Sequence, residues 1–355
     1  MTTRTQKKPR RSRNGTNGPK IQPRRRYIVS RKVRRRRGRK PARTITFADF
    51  AFLYLDHAEA QTPRSVRTYE TRIAHLVEGI GRKIQLRNVG HSQIQAVIDG
   101  LTAAGFAPNT VCQIYGACQG LMTYGITLGV LKASPCVRGV IRLPKRRPVN
   151  PAHAIEALMT SAEVRRLIDS GGTDEERAWW AVAALTGMRG GEIRALRWQR
   201  CDLRYLPIGQ IIVAESYRAD TGVTSPPKTG EAREVPVHPS LAPVLDAWRS
   251  SGWAGVMKRA HRANDLVFPD PDRPDGHLTD GRMRRRFYLA LERLGMRRRR
   301  IHGLRHTFVT RTAEVDGASS EVLERITHGR PRDVRGDYRQ VTFAEMAREL
   351  AKWEV

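Results

Sequence analysis

An uninterrupted block of positive charge limits where this chain can fold. Residues 1–43 hold 14 Arg and 5 Lys with no Asp or Glu, a net +19. Such a block repels itself and buries too little apolar surface to offset its ordering entropy, so it is expected to stay disordered until it meets a polyanion. Any core must be built from residue 44 onward. There the balance is milder, 46 basic against 34 acidic residues, and 355 residues in all suffice for about two domains. A net charge of +31 makes nucleic acid the natural partner, although ribosomal and architectural proteins carry the same signature.

Other classes are disfavoured. No window reaches the roughly 18 apolar residues of a membrane span, and the basic start lacks the apolar core of a secretory signal. The four cysteines (Cys112, Cys118, Cys136, Cys201) form no C-x-x-C pair, which argues against a zinc site or disulfide framework and for a reducing, cytoplasmic setting. Within the arm, Arg37-Gly38-Arg39 followed by Pro41 resembles an AT-hook core, whose arginines enter narrow A·T-rich minor grooves. Plain phosphate attraction by a flexible arm accounts for the same residues.

From residue 44 to 136 the pattern is helical. Thr46 with Asp49 caps a helix carrying Phe47, Phe50, Ala51, Tyr54 and Leu55. Thr62-Pro63 opens a second, with Val66, Tyr69, Ile73 and Leu76 on one face. A third runs near Ser92–Ala104, and a fourth follows Pro108 with Val111, Ile114, Tyr115, Cys118, Leu121 and Met122. The stripes read as the core of a small bundle, with Arg64, Arg67 and Arg72 on the polar faces that would meet phosphates. Residues 137–156 contain "VRGVIRLPKRRPVNPAHA", proline-rich, basic and without acid, which reads as an exposed linker whose Lys145, Arg146 and Arg147 face nucleic acid.

A second domain is expected over residues 157–342. "TSAEVRRLI" offers a capping box from Thr160 to Glu163, and helical patterning continues except at "GQIIVAES" and "REVPVHP", which are β-rich. The fold class is therefore mainly α with a small β-platform (α+β). Beyond it, residues 343–355 put Phe343, Met346, Leu350 and Trp353 on one helical stripe. A terminal stripe this short needs an acceptor surface, and its own domain could supply one.

Four stretches of this domain could carry chemistry. In "ALTGMRGGEIRALRW" Arg189 sits in a turn before a helix restart at Gly190-Gly191, beside free backbone N–H groups that favour an anion, and Glu192 could orient it. In "IHGLRHTFVT" His302, Arg305 and His306 stand at i, i+3 and i+4, so one face presents two imidazoles and a guanidinium. The glutamate of H-E-x-x-H is replaced by Gly303, so no metal site is expected. Lys228 lies in the turn before "REVPV". Outside the arm the chain uses 40 Arg and only 6 Lys, so a lysine here carries information: it can release a proton near neutral pH, whereas arginine cannot. Finally, "ITHGRPRDVRGDYRQV" brings His328 and Tyr338 into basic company.

The order Arg189, Lys228, His302-x-x-Arg305, His328, Tyr338 resembles the signature of the tyrosine recombinases, the phage integrase family, over roughly residues 44–345. "TGMRGGEIRALRW" and "HGLRHTFVT" match it closely. Two departures stand near the last two residues: Ile326-Thr327 replaces the usual Leu-Gly before His328, and the interval to Tyr338 is one residue longer than common.

The resemblance implies a helical core-binding (SAM-like) domain followed by a catalytic domain. It implies a site-specific DNA recombinase that cuts and rejoins double-stranded DNA through a 3′-phosphotyrosine, integrating or excising a phage or mobile element. Arg189 and Arg305 would clamp the phosphate, Tyr338 attack it, His302 act as base, Lys228 protonate the leaving 5′-oxygen and His328 hydrogen-bond the phosphate. No cofactor is implied. The implied partners are attachment-site DNA, three further copies in a homotetramer and accessory DNA-bending or directionality factors. The resemblance also implies that the 343–355 stripe docks in trans on a neighbouring copy, and this is the preferred reading of it. A type IB topoisomerase shares much of this chemistry, and a non-catalytic DNA-binding protein would need only the charge.

Overall fold

The computed structural model describes residues 44–61, 66–145, 156–205, 207–228, 230–329 and 341–355. The chain divides into two compact units, Met1–Pro148 and Val149–Val355.

In the first unit, α1 (Phe47–Gln61) starts where Thr46 Oγ1 accepts the Asp49 N–H at 3.1 Å, with the Thr46 hydroxyl donating to Asp49 Oδ2 at 2.8 Å. This local cap satisfies a donor that would otherwise be orphaned at the helix start. α2 (Val66–Ile80), α3 (His91–Ala103) and α4 (Pro108–Thr127) follow. Their buried positions recur every three to four residues: Ile73, Leu76, Val77 and Ile80 on α2, and Val111, Ile114, Tyr115, Cys118, Leu121 and Met122 on α4. The stripes meet Phe47 and Phe50 in one apolar core. Polar faces stay outside; Arg72 donates to Gln113 Oε1 at 2.7 Å.

The second unit opens on α5 (Ser161–Ser170), with a reciprocal cap between the Thr160 hydroxyl and the Glu163 N–H (3.1 Å) and between Glu163 Oε2 and the Thr160 N–H (3.0 Å). α6 (Asp174–Leu185) is buried almost all round, the property of a central helix. It is followed by α7 (Gly190–Ala195) and a three-stranded antiparallel sheet, ordered β1 (Cys201–Asp202), β2 (Gln210–Val213), β5 (Arg233–Pro236). A separate hairpin pairs β3 (Ser216–Arg218) with β4 (Val223–Ser225). α8 (Ala242–Ala247) runs through a π turn at Trp248–Gly252 into α9 (Trp253–Met257). The indoles of Trp248 and Trp253 donate to the carbonyls of Val267 and Leu266 at 2.8 and 2.9 Å. α10 (Asp280–Arg293), α11 (Gly303–Ala313), α12 (Ser320–His328) and α13 (Phe343–Ala351) complete the unit. The α+β expectation holds, with more strands than the β-rich runs suggested. β1, β3 and β4 are two or three residues long, too short to carry a periodic signature, and "GQIIVAES" breaks at Ala214-Glu215 into two different sheets.

In the single chain the C-terminal stripe packs on its own unit. Met346, Leu350 and Trp353 lie in the core of their own unit, and Trp353 is only 4% exposed. The Trp353 indole donates to Ser161 Oγ at 3.1 Å. His238 Nε2–H donates to the Trp353 carbonyl at 2.7 Å, and His238 Nδ1 accepts the Ser240 N–H at 3.0 Å. The acceptor surface that a short amphipathic helix needs is supplied intramolecularly here, by α12, β5 and α5. Among the described residues no helix is long and apolar enough to cross a membrane.

Candidate active site

The site is built around the end of α6. There the Thr186 hydroxyl donates to Val182 O at 2.6 Å and accepts the Met188 N–H at 3.2 Å, which turns the chain. Gly187 makes the reversal at φ +61°, and a Cβ on it would stand 2.5 Å from the Phe308 ring of α11, so side chain and conformation both require glycine. The turn delivers Arg189 to the N-cap position of α7. At Gly191 the α7 backbone passes so close to β3 that a Cβ would lie 2.6 Å from Ser216 Oγ.

Glu192, 1% exposed, sits between two arginines. Its Oε1 accepts from Arg189 Nη1 at 3.0 Å and its Oε2 from the Arg189 N–H at 2.8 Å. Arg233 of β5 closes the other side with two parallel bonds, Nη1 to Oε1 at 3.1 Å and Nη2 to Oε2 at 2.7 Å. Burial by itself pushes this carboxyl's pKa up. Arg233 first, then the backbone bond and charge of Arg189, outweigh that and hold it below the usual carboxylate range.

Arg305 enters from α11, 7% exposed. Its Nη1 donates to Gly187 O, two residues before Arg189, and its Nη2 to Thr327 O at 3.2 Å. The same Nη2 stands 3.2 Å from His328 Nε2. His328 ends α12, and its Nδ1 is 2.9 Å from Thr327 Oγ1, whose own proton goes to Leu323 O at 2.8 Å. Thr327 Oγ1 therefore accepts from Nδ1–H, which leaves the Nε2 lone pair toward Arg305. His302 is the residue before α11, its ring 4.9 Å from that of His306 at 87°. Burial lowers its pKa most, followed by the charges of His306, Arg305 and Arg189, so the imidazole is neutral at pH 7. A cavity of about 170 Å³ lies against His302 and Arg305, lined also by Trp179, Gly190, Gly191 and Arg194.

The structure thus brings Arg189, Glu192, His302, Arg305 and His328 together. Lys228 is exposed in the turn between β4 and β5. Tyr338 lies outside the described residues, as do Arg37, Arg39, Arg64, Arg146 and Arg147. Arg67 on α2 and Lys145 are exposed, and Arg72 is half-buried. Among the described residues no cluster of three or more His, Cys, Asp and Glu side chains is disposed to hold a metal ion.

Sequence reasoning passed over Arg233, reading "REVPV" only as a strand. The signal was present. Alternation puts Arg233 on the face of Val235 and Val237, and a charge on a buried strand face needs a buried counter-charge. Thr327 departs from the family pattern, and its contact with His328 emerges only from the geometry.

Residues 153–345 match the family model described as the phage integrase family. The chain is 24% identical over 233 residues to a putative prophage phiRv2 integrase of Mycobacterium tuberculosis, a match spanning 64% of this chain and 57% of that relative's length. It is 23% identical over 330 residues to the ICEBs1 integrase of Bacillus subtilis, covering 91% of this chain and 87% of the relative. Among solved structures, the Tn1549 transposon integrase in complex with a circular-intermediate DNA superposes with a TM-score of 0.60 at 17% identity, over 85% of this chain and 98% of that one, which shows the shared fold.

Proposed function

Because the chain belongs to the phage integrase family, we propose that it is a site-specific recombinase that cuts and rejoins double-stranded DNA through a 3′-phosphotyrosine. One observation carries the reading: Arg305 contacts both the turn that holds Arg189 and the ring of His328, so two guanidiniums and an imidazole converge on one spot beside His302.

Charge on a phosphodiester's non-bridging oxygens grows toward a pentavalent transition state, and Arg189 and Arg305 meet it with charge-assisted hydrogen bonds. Glu192 aims the first; carbonyls of Gly187 and Thr327 aim the second. Tyr338 Oη attacks phosphorus, the P–O5′ bond breaks, and a 3′-phosphotyrosine and a 5′-hydroxyl result. A free phenol is only about one part in a thousand ionised at pH 7. His302, neutral there, takes the phenolic proton, and Lys228 supplies one to the leaving 5′-oxygen. His328 joins the phosphate contacts by donating from a protonated Nε2, which gives up the Arg305 Nη2 contact as it does so. The covalent ester keeps the bond energy, so another strand's 5′-hydroxyl can reverse the step without a nucleotide.

The substrates are attachment sites of a phage or mobile element, supported by the prophage and ICEBs1 relatives. The assembly is a homotetramer on DNA in the cytoplasm, served by DNA-bending or directionality factors. The basic arm, Arg37 and Arg39 included, and Arg64, Arg67, Arg72, Lys145, Arg146 and Arg147 bind the flanking backbone. As domains, residues 44–136 grip the core site, 137–156 link, and 157–342 cut.

Tyr338→Phe tests this. On a nicked core-site duplex the variant binds as the parent does and forms no covalent adduct. An adduct persisting in Tyr338→Phe overturns the assignment of the nucleophile, and relaxation of supercoils by a lone protomer without exchange between two sites points to a topoisomerase instead.

A further inference from the structure

We propose that Arg233 is a positioning residue for strand cleavage: it holds Glu192 so that Arg189 meets the scissile phosphate at full charge, and it ties that assembly to the helix bearing His328. The inference rests on the recombinase reading above.

Arg233 cannot itself reach DNA, being 5% exposed. Its guanidinium instead uses donors in two directions. Nη1 and Nη2 fork onto the Glu192 carboxylate at 3.1 and 2.7 Å. Nε donates to Ile326 O at 3.0 Å, two residues before His328. A Cβ built on Gly329, the residue after His328, would stand 3.3 Å from Arg233 Cβ, so the end of α12 rests on this side chain. One residue of β5 therefore joins α7, which positions Arg189, to α12, which positions His328.

The charges explain why a second arginine is needed. A buried Glu192 paired with Arg189 alone would form a neutral ion pair and cancel the positive charge that Arg189 should present to phosphate. With Arg233 included, the three groups sum to +1. Glu192 can then orient Arg189, which gives it only one of five guanidinium donors, without quenching it. Lysine can neutralise Glu192 but cannot fork onto both oxygens and reach Ile326 O together.

The test measures DNA affinity, melting and single-turnover cleavage at saturating protein for the parent, Arg233→Lys and the double variant Arg233→Gln with Glu192→Gln. The double variant leaves no unpaired buried charge and so separates positioning from folding. Each is run on a nicked core site with an ordinary scissile phosphate and on one with a methylphosphonate, which lacks the negative charge that Arg189 meets. Expected are dissociation constants within about threefold of the parent. Arg233→Lys cleaves about tenfold slower and the double variant on the order of 100-fold slower, the scale of a reacting group displaced by about 1 Å. Both deficits shrink on the methylphosphonate. Parent-like rates in either variant overturn the proposal. So does an equal deficit on both substrates, or failure of both variants to bind DNA, since Arg233 would then only hold the fold. Failure of the parent itself to form an adduct would sink the recombinase reading, a distinct result.

Discussion

Replacing Trp353 by alanine removes the anchor of α13. The indole is 4% exposed, packs edge-on against Phe308 at 6.0 Å between centroids, and donates to Ser161 Oγ at 3.1 Å. Burying an indole takes roughly 200 Å² out of water. At about 25 cal/mol per Å² that is about 5 kcal/mol as an upper bound. Truncations of this kind cost about 3–5 kcal/mol, and the His238 bond to the Trp353 carbonyl survives because it is a main-chain contact. A loss of about 4 kcal/mol is expected, or a drop in Tm of roughly 8–16 °C for a domain of this size. Thermal scans of parent and variant, each at two protein concentrations about 50-fold apart, read it directly. Because the acceptor is intramolecular, the midpoints should not move with concentration. A loss under about 1 kcal/mol, or a midpoint that climbs with concentration in the parent, would refute the reasoning and return α13 to a neighbouring protomer.

Two further outcomes follow from named contacts. Burial lowers the pKa of His238 and of His277 below the ordinary value of 6.5. The folded state keeps both neutral while the unfolded chain takes up protons, so their contribution is complete above about pH 6.5 and is lost as pH falls through the unfolded value toward the folded ones. The urea midpoint should fall from pH 7.5 to 5.5, and fall less in His238→Gln; a flat or rising midpoint contradicts this. Thr327→Val deletes the hydroxyl that accepts from His328 Nδ1 and donates to Leu323 O. Cleavage is expected to slow about tenfold with a shifted pH–rate profile, while stability changes by about 1 kcal/mol and DNA affinity stays put. An unaltered profile would mean that the Thr327 hydroxyl does not set the His328 tautomer.

Much of the fold was legible because it depends on neighbours three or four residues away. The caps at Thr46 and Thr160 and the stripes of α1 to α4 are read within one or two helical turns. Arg189 and Glu192, one turn apart, belong to the same class. Other features have no local trace. β3 and β4 are stabilised by pairing with each other, with Tyr217 stacked on His277 at 3.8 Å and its hydroxyl donating to Asp275 at 2.6 Å, partners about sixty residues distant.

By itself, the sequence determined which stretches carry helical periodicity, where the one-signed basic block gives way to core-forming chain, and which residue types could meet a phosphate. These are matters of composition, periodicity and spacing. Only the tertiary structure decided how the charges are shared. Arg233 meets Glu192 because antiparallel pairing sets Arg233 opposite Val213 while α7 packs behind, and a 41-residue separation leaves no periodic mark. It also decided that α13 closes on its own domain. An amphipathic stripe demands an apolar acceptor, and only the packed core reveals that this chain already supplies one.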